Sequence, residues 1–166
     1  MKAKFLFLIF GAGLAVAVVF LASHKTPGST ISEDATDAAK AEWLTDFKTA
    51  QQRALAENKT LLIDFTGSDW CPPCMLLEKQ VFSQSEFTDY ATRNLILLKV
   101  DFPRRKSLPA NQQAANNALA DRFAIQGYPT ILAMGADGKL KGQVSTSMFE
   151  SSAKFIADLE RIVRKS

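Results

Sequence analysis

The segment Trp70-Cys71-Pro72-Pro73-Cys74 holds the only two cysteines of the chain. In the chain-entropy account a disulfide stabilises by restricting the unfolded chain, and the benefit grows with the length of the loop it closes. This loop is about as short as loops get, so the pair is a poor staple and a good redox couple. Zinc is the competing use of two such thiols, but a structural zinc site takes about four ligands. Only His24 remains as a further soft ligand, so no metal is expected.

The elements around the pair follow from the local pattern. Leu61-Leu62-Ile63-Asp64-Phe65 is a short, almost continuous apolar run, as for a strand buried on both faces. Thr66 to Trp70 is then a loop, and a helix starts at the cysteines, with Met75, Leu76, Leu77, Val81 and Phe82 on its way. Cys71 thus sits at a helix N-terminus, where free N–H groups and the helix dipole favour an anion. A thiolate is the nucleophile of disulfide exchange, so the position activates Cys71. Cys74, one turn further in, is placed to resolve the mixed disulfide that Cys71 forms. Pro73 holds Pro72, and Pro72 holds Cys71, toward extended backbone. Both prolines lack an N–H, which leaves the amides of Cys74 and Met75 as the expected donors to the sulfur. Asp64 interrupts the apolar strand, and a buried carboxylate is expensive without a partner or a task.

The remaining pattern supplies one α/β domain from Glu42 to Ser166. Trp43, Phe47, Ala50 and Ala54 recur at helical spacing, and Asn58-Lys59 closes that helix. Ser85 to Asn94 is a helical stretch, and Leu95 to Val100 the next buried strand. Asp101 to Ala110, with two prolines and the basic triplet Arg104-Arg105-Lys106, is a loop in which the triplet is read as a solvated charge block, with docking of an acidic partner as the alternative. Asn111 to Phe123 is a weaker helix, since Asn and Gln fill positions that better helix formers would take. Thr130 to Met134 is a third strand, and Ala136-Asp137-Gly138-Lys139 carries a hairpin signal into a fourth over Leu140 to Val144. Phe149, Ala153, Ile156, Leu159 and Val163 share one face of a closing helix. Strands separated by helices, then a hairpin and a last helix, predict a mixed central β-sheet flanked by helices.

Before the domain, Lys2 and Lys4 precede an apolar run from Phe5 to Ala22, broken at His24 to Gly28. A positive start and an apolar stretch predict export, with residues 1–28 as a signal peptide or a membrane anchor. No cysteine ends the run, so a lipid anchor is not expected. Residues 29–41 are small and polar and read as a linker. The expected location is the periplasm or the extracytoplasmic face of the membrane. The chain of 166 residues carries a formal charge of +3. Setting Lys2 and Lys4 aside leaves 18 basic against 17 acidic residues, which is no argument for nucleic acid.

Taken together, Asp64-Phe65, Trp70-Cys71-Pro72-Pro73-Cys74 and Gly127-Tyr128-Pro129-Thr130 make the chain resemble the thioredoxin superfamily, over nearly everything from Glu42 to Arg164. More narrowly, Asp69-Trp70-Cys71 with Glu78-Lys79 and Val81-Phe82-Ser83 is similar to exported thioredoxin-like proteins and to the C-terminal domain of the bacterial transmembrane thiol-disulfide interchange protein. The resemblance implies a thioredoxin-like fold and a monomeric thiol-disulfide oxidoreductase of the cell envelope, acting on disulfide-containing substrate proteins without a cofactor. It gives Cys71 as nucleophile, Cys74 as resolving thiol and Asp64 as the acceptor of the Cys74 proton. It implies a cis Pro129 opposite the disulfide, with the Tyr128 backbone pairing with the substrate chain, Trp70 shielding the site, and Glu78 matching an acidic position. The stretch from Asp64 to Cys71 is one residue longer than in typical thioredoxins, and a bulge around Gly67-Ser68 is expected to absorb it. Pro73, with no histidine between the cysteines, leans toward a reductase, for which a membrane-embedded disulfide reductase would supply electrons. The alternative is a redox-inert thioredoxin-fold module that binds extended peptides.

Overall fold

The structure is a computed structural model and describes residues 41–145 and 151–165. The signal or anchor segment, all but the last residue of the linker, and Phe149 lie outside the described residues. Five strands form one mixed sheet in the order β1-β3-β2-β4-β5, where β1 is Trp43–Leu44, β2 Thr60–Thr66, β3 Leu95–Asp101, β4 Thr130–Met134 and β5 Leu140–Val144. The first three strands run parallel, and β4 and β5 are added antiparallel. Helices α1 (Phe47–Glu57), α2 (Pro72–Leu77), α3 (Ser85–Asn94), α4 (Ala110–Arg122) and α5 (Ser152–Lys165) cover the two faces, and a π-helical turn, Glu78–Phe82, prolongs α2. This is the mixed α/β sandwich the pattern predicts.

Alternation along the strands divides the core in two. Leu61, Ile63 and Phe65 of β2 with Ile96, Leu98 and Val100 of β3 pack under α1 and α4. Leu62 of β2 and Leu97 of β3 pack with Phe82, Phe87 and Phe155 on the opposite face. Asp64 and Lys99 are paired across β2 and β3, and by the same alternation they belong to the second face.

Trp43 departs from the expected helix. It pairs with Leu97 in the parallel register of β1 on β3, and its ring packs on Phe82 with centroids 5.1 Å apart. The reason is a cap: the Asp46 carboxylate accepts from the Thr49 amide at 2.7 Å, which starts α1 at Phe47 and leaves Trp43 in extended chain. At the other end Asn58 takes the left-handed conformation (φ 50°), and its amide reaches back to the carbonyls of Ala54 and Leu55.

The amide side chains that weakened α4 as a helix have tasks within the fold. Asn116 is buried and donates to the Asp101 carbonyl at 2.8 Å. Gln112 donates to the Asn116 side chain at 2.8 Å and to the Thr45 carbonyl at 3.0 Å. They fasten α4 to the C-terminal end of β3, where the site is built.

Candidate active site

The pairing of β2 with β3 runs unbroken from Thr60↔Leu95 to Thr66↔Asp101. A turn follows at Gly67-Ser68, where the sequence led us to expect an irregularity: the amides of Trp70 and Cys71 both donate to the Gly67 carbonyl, at 3.2 and 3.0 Å. Asp101 holds the near side of this turn, accepting from the Ser68 amide at 2.9 Å and the Ser68 hydroxyl at 2.6 Å. Gly67 is needed for close approach, because a Cβ there would stand 2.6 Å from the Trp70 indole.

Cys71 and Cys74 form a disulfide with Cα atoms 5.3 Å apart, and both are almost wholly buried, at 3% and 4% exposure. Cys71 is the N-cap of α2 in extended backbone (φ −95°, ψ 102°), with Pro72 and Pro73 in the first turn. Those are the helix positions whose N–H would have no intrahelical partner, so the prolines cost the helix little. Of the two donors expected at the sulfur, only one serves it. The Cys74 amide points at Cys71 Sγ at 3.3 Å, while the Met75 amide is committed to the Cys71 carbonyl at 3.1 Å.

Asp64 is 3% exposed, and its Oδ1 is buried without a hydrogen-bond partner. Burial pushes its carboxyl up from 3.8 to about 7; the Lys99 charge opposes that shift, while Glu78 and Asp101 reinforce it. Lys99 donates to Glu78 at 3.0 Å and lies 4.9 Å from the Trp43 ring. A cleft of about 180 Å³ is lined by Thr66, Ser68, Cys74, Met75, Glu78 and Lys99. Thr66 and Lys99 are the along-strand and cross-strand neighbours of Asp64, so the buried acid stands next to two residues of the cleft that also reaches Cys74.

Trp70, which precedes Cys71 in the chain, packs with Tyr128 and Phe102. The indole Nε1 donates to the Phe102 carbonyl at 2.7 Å, and its ring meets Tyr128 edge-on at 6.0 Å. Phe102 stacks on Tyr128 at 5.1 Å. The Tyr128–Pro129 peptide bond is cis. Burial raises the Tyr128 hydroxyl above its ordinary value. Sequence reasoning missed the residues that hold this group in place. Both Asp69 carboxylate oxygens accept backbone amides, from Arg104 and Arg105 at 2.9 Å each, which lowers the Asp69 carboxyl, and the Arg104 guanidinium lies 3.5 Å over the Trp70 ring. The signal was present as an acid directly before Trp70 and a basic triplet after a strand, but only the tertiary fold brings the two together.

A redox-ready disulfide at a helix start, on a mixed sheet with a buried acid beside it, defines the thioredoxin-like class. Residues 47–157 match the thioredoxin-like domain family, and the chain belongs to it. The disulfide bond reductase DsbH of Chlamydia pneumoniae is 31% identical over 102 residues, 61% of this chain and 61% of the relative. The thiol:disulfide interchange protein DsbD of Pseudoalteromonas atlantica is 31% identical over 121 residues, 72% of this chain but 19% of that one. The chain therefore spans less than two thirds of the length of either. A solved structure of a DsbH oxidoreductase superposes with a TM-score of 0.70 at 25% identity, covering 77% of this chain and 88% of its own.

Proposed function

We propose that the protein is a thiol-disulfide oxidoreductase of the cell envelope, working as a reductase on disulfide-containing substrate proteins. The observation that carries this is the combination at one sheet end of the Cys71–Cys74 disulfide and a buried, partnerless Asp64 oxygen. A structural disulfide has no use for such an acid. In the reduced protein the Cys71 thiolate attacks a substrate disulfide and forms a mixed disulfide, releasing one substrate thiol. Asp64 accepts the Cys74 proton, and the Cys74 thiolate then displaces the second substrate thiol from Cys71 Sγ. Two electrons pass to the substrate and the Cys71–Cys74 bond reforms. A carboxyl held near neutrality suits this proton transfer, since a base works best when its pKa lies close to the ambient pH.

Trp70 covers the pair, and the Tyr128 backbone before Pro129 pairs with the extended substrate chain. Glu78 and Lys99 line the opening through which the Asp64 proton reaches water. The names of the two curated relatives, a disulfide bond reductase and a thiol:disulfide interchange protein, support the activity. In this reading residues 1–28 carry the chain out of the cytoplasm or anchor it, residues 29–41 link it to a monomeric domain, and a membrane-embedded disulfide reductase returns electrons to the pair.

The test is reduction of a disulfide-containing test protein by the full chain, beside Cys71→Ser and Cys74→Ser. Wild type no faster than Cys71→Ser sinks the enzyme and leaves a peptide-binding module. A mixed disulfide trapped by Cys74→Ser supports the proposal and captures substrates. Thiol labelling in intact cells gives the direction: a resting reduced pair fits a reductase, and a resting oxidised pair contradicts it.

A further inference from the structure

The basic triplet after β3 is not a loosely solvated loop. Asp69, next to Trp70, fixes its backbone through two 2.9 Å hydrogen bonds. Phe102, at the loop's start, takes the Trp70 indole N–H at 2.7 Å and stacks on Tyr128 at 5.1 Å. The Arg104 guanidinium lies 3.5 Å over the Trp70 ring. The loop and the segment carrying the cysteines are therefore one fastened unit, with Arg104 held against Trp70 and the exposed Arg105 and Lys106 next to it in the chain. Lys106 leans on Asp101 at 3.4 Å. Among the described residues neither Arg104 nor Arg105 has a carboxylate within salt-bridge distance of its guanidinium, because the nearest acid, Asp69, is spent on backbone amides. An arrangement that spends a carboxylate on the backbone while leaving guanidinium groups open presents unpaired positive charge outward.

We infer that this loop selects substrates, docking an acidic segment that flanks the substrate disulfide; the inference rests on the oxidoreductase reading above. A disulfide attacked by Cys71 must lie against Trp70, its neighbour in the chain. Arg104 covers one face of that indole, so flanking substrate residues on that side meet a guanidinium rather than a bare aromatic surface. An extended chain advances about 3.3 Å per residue, so acidic residues two to four positions from the substrate cysteine come within reach of Arg104 and Arg105. Guanidinium groups grip carboxylates in paired hydrogen bonds, and exposed charge beside a site also speeds encounter with an oppositely charged partner.

The experiment compares two synthetic peptides with the same intramolecular disulfide, one flanked by three Glu and the other by three Lys, reduced by the pre-reduced full chain in stopped flow. Wild type favours the acidic peptide in the second-order rate constant of the single turnover by about three- to tenfold at low salt, the size two exposed ion pairs supply. The ratio falls toward unity in 0.5 M salt, where the Debye length is only about 4 Å. Arg105→Glu, an exposed change that leaves the fastening bonds in place, lowers or inverts the ratio. Asp69→Ala, which releases the loop from the site, lowers it without removing a cation. Equal rates for the two peptides, or a preference that survives Arg105→Glu, overturns the inference while the oxidoreductase reading stands. Reduction of neither peptide overturns that reading, and the inference with it.

Discussion

Asp64 offers the most searching test of the physical account, because its environment predicts a stability effect independent of any substrate. Its carboxyl is raised from 3.8 to about 7 by burial. A carboxyl raised in the folded protein binds its proton more tightly there than in the unfolded chain, so the folded state is favoured while the group is protonated. That advantage is complete below about pH 4, is lost as the pH rises through the folded value near 7, and is absent above it. A shift of about three units is worth about 4 kcal/mol, at 1.36 kcal/mol per unit. Asp64→Asn removes the titration and keeps the shape. Its amide introduces a buried donor, which costs about 1–3 kcal/mol at every pH, so the diagnostic is the change with pH and not the offset. Chemical denaturation of oxidised wild type and Asp64→Asn is measured at intervals from pH 4 to pH 8.5. The variant gains on wild type by about 4 kcal/mol across that range, a relative shift in Tm of about 15 °C or more for a domain of this size. A difference that stays flat with pH refutes the reasoning, since it means Asp64 finds a partner or water that the buried Oδ1 atom lacks.

Four further outcomes follow from named contacts. Gly67→Ala places a Cβ 2.6 Å from the Trp70 indole and is expected to destabilise by about 1–3 kcal/mol, with a shifted tryptophan fluorescence maximum as the local readout. Trp70→Phe removes the hydrogen bond to the Phe102 carbonyl and lowers stability by about 1 kcal/mol, read as a fall in the denaturation midpoint. Asn116→Ala leaves the part-buried Asp101 carbonyl without its donor and costs about 1 kcal/mol, with faster amide exchange at Ser68 because Asp101 also holds that residue. Glu78→Gln removes a charge that raises the Asp64 carboxyl and Lys99→Met one that lowers it, so carboxyl titration by NMR moves down in the first variant and up in the second.

The sequence exposed the elements more readily than the way they are joined. β2, β3, β4 and β5 were legible because apolar runs and the Asp-Gly hairpin are local signals, and α3 matched residue for residue. Trp43 was misread because an aromatic at helical spacing from Phe47 looks like a further helix position, whereas the Asp46 cap that starts the helix at Phe47 depends on one side-chain bond. The irregularity at Gly67-Ser68 was legible as a position, but its form, a turn closed on the Gly67 carbonyl, was not, because chain length between two landmarks does not say how the chain bends. The pairing of Asp69 with the amides of Arg104 and Arg105 spans 35 positions and has no local signature at all. The amide-rich α4 reads as a weak helix until Asn116 is seen to be buried against β3.

Three aspartates converge on this end of the sheet, and their surroundings divide the work among them. Asp69 receives two backbone N–H groups, which favours its charged form and makes it a fastener. Asp101 receives the Ser68 amide and hydroxyl and an ion pair with Lys106, and it anchors the turn that leads to Cys71. Asp64 alone has a buried oxygen with no donor. An apolar residue of similar size would relieve that cost, and in the proposed mechanism the cost has a use, acceptance of the Cys74 proton. The two environments push like groups apart, Asp64 up and Asp69 down, and the proposed mechanism uses the raised one for proton exchange. The same division explains why the basic loop remains open to a partner. Asp69 holds the loop's backbone, so Arg104 beside Trp70 and the exposed Arg105 next to it keep their charge for what arrives at the disulfide.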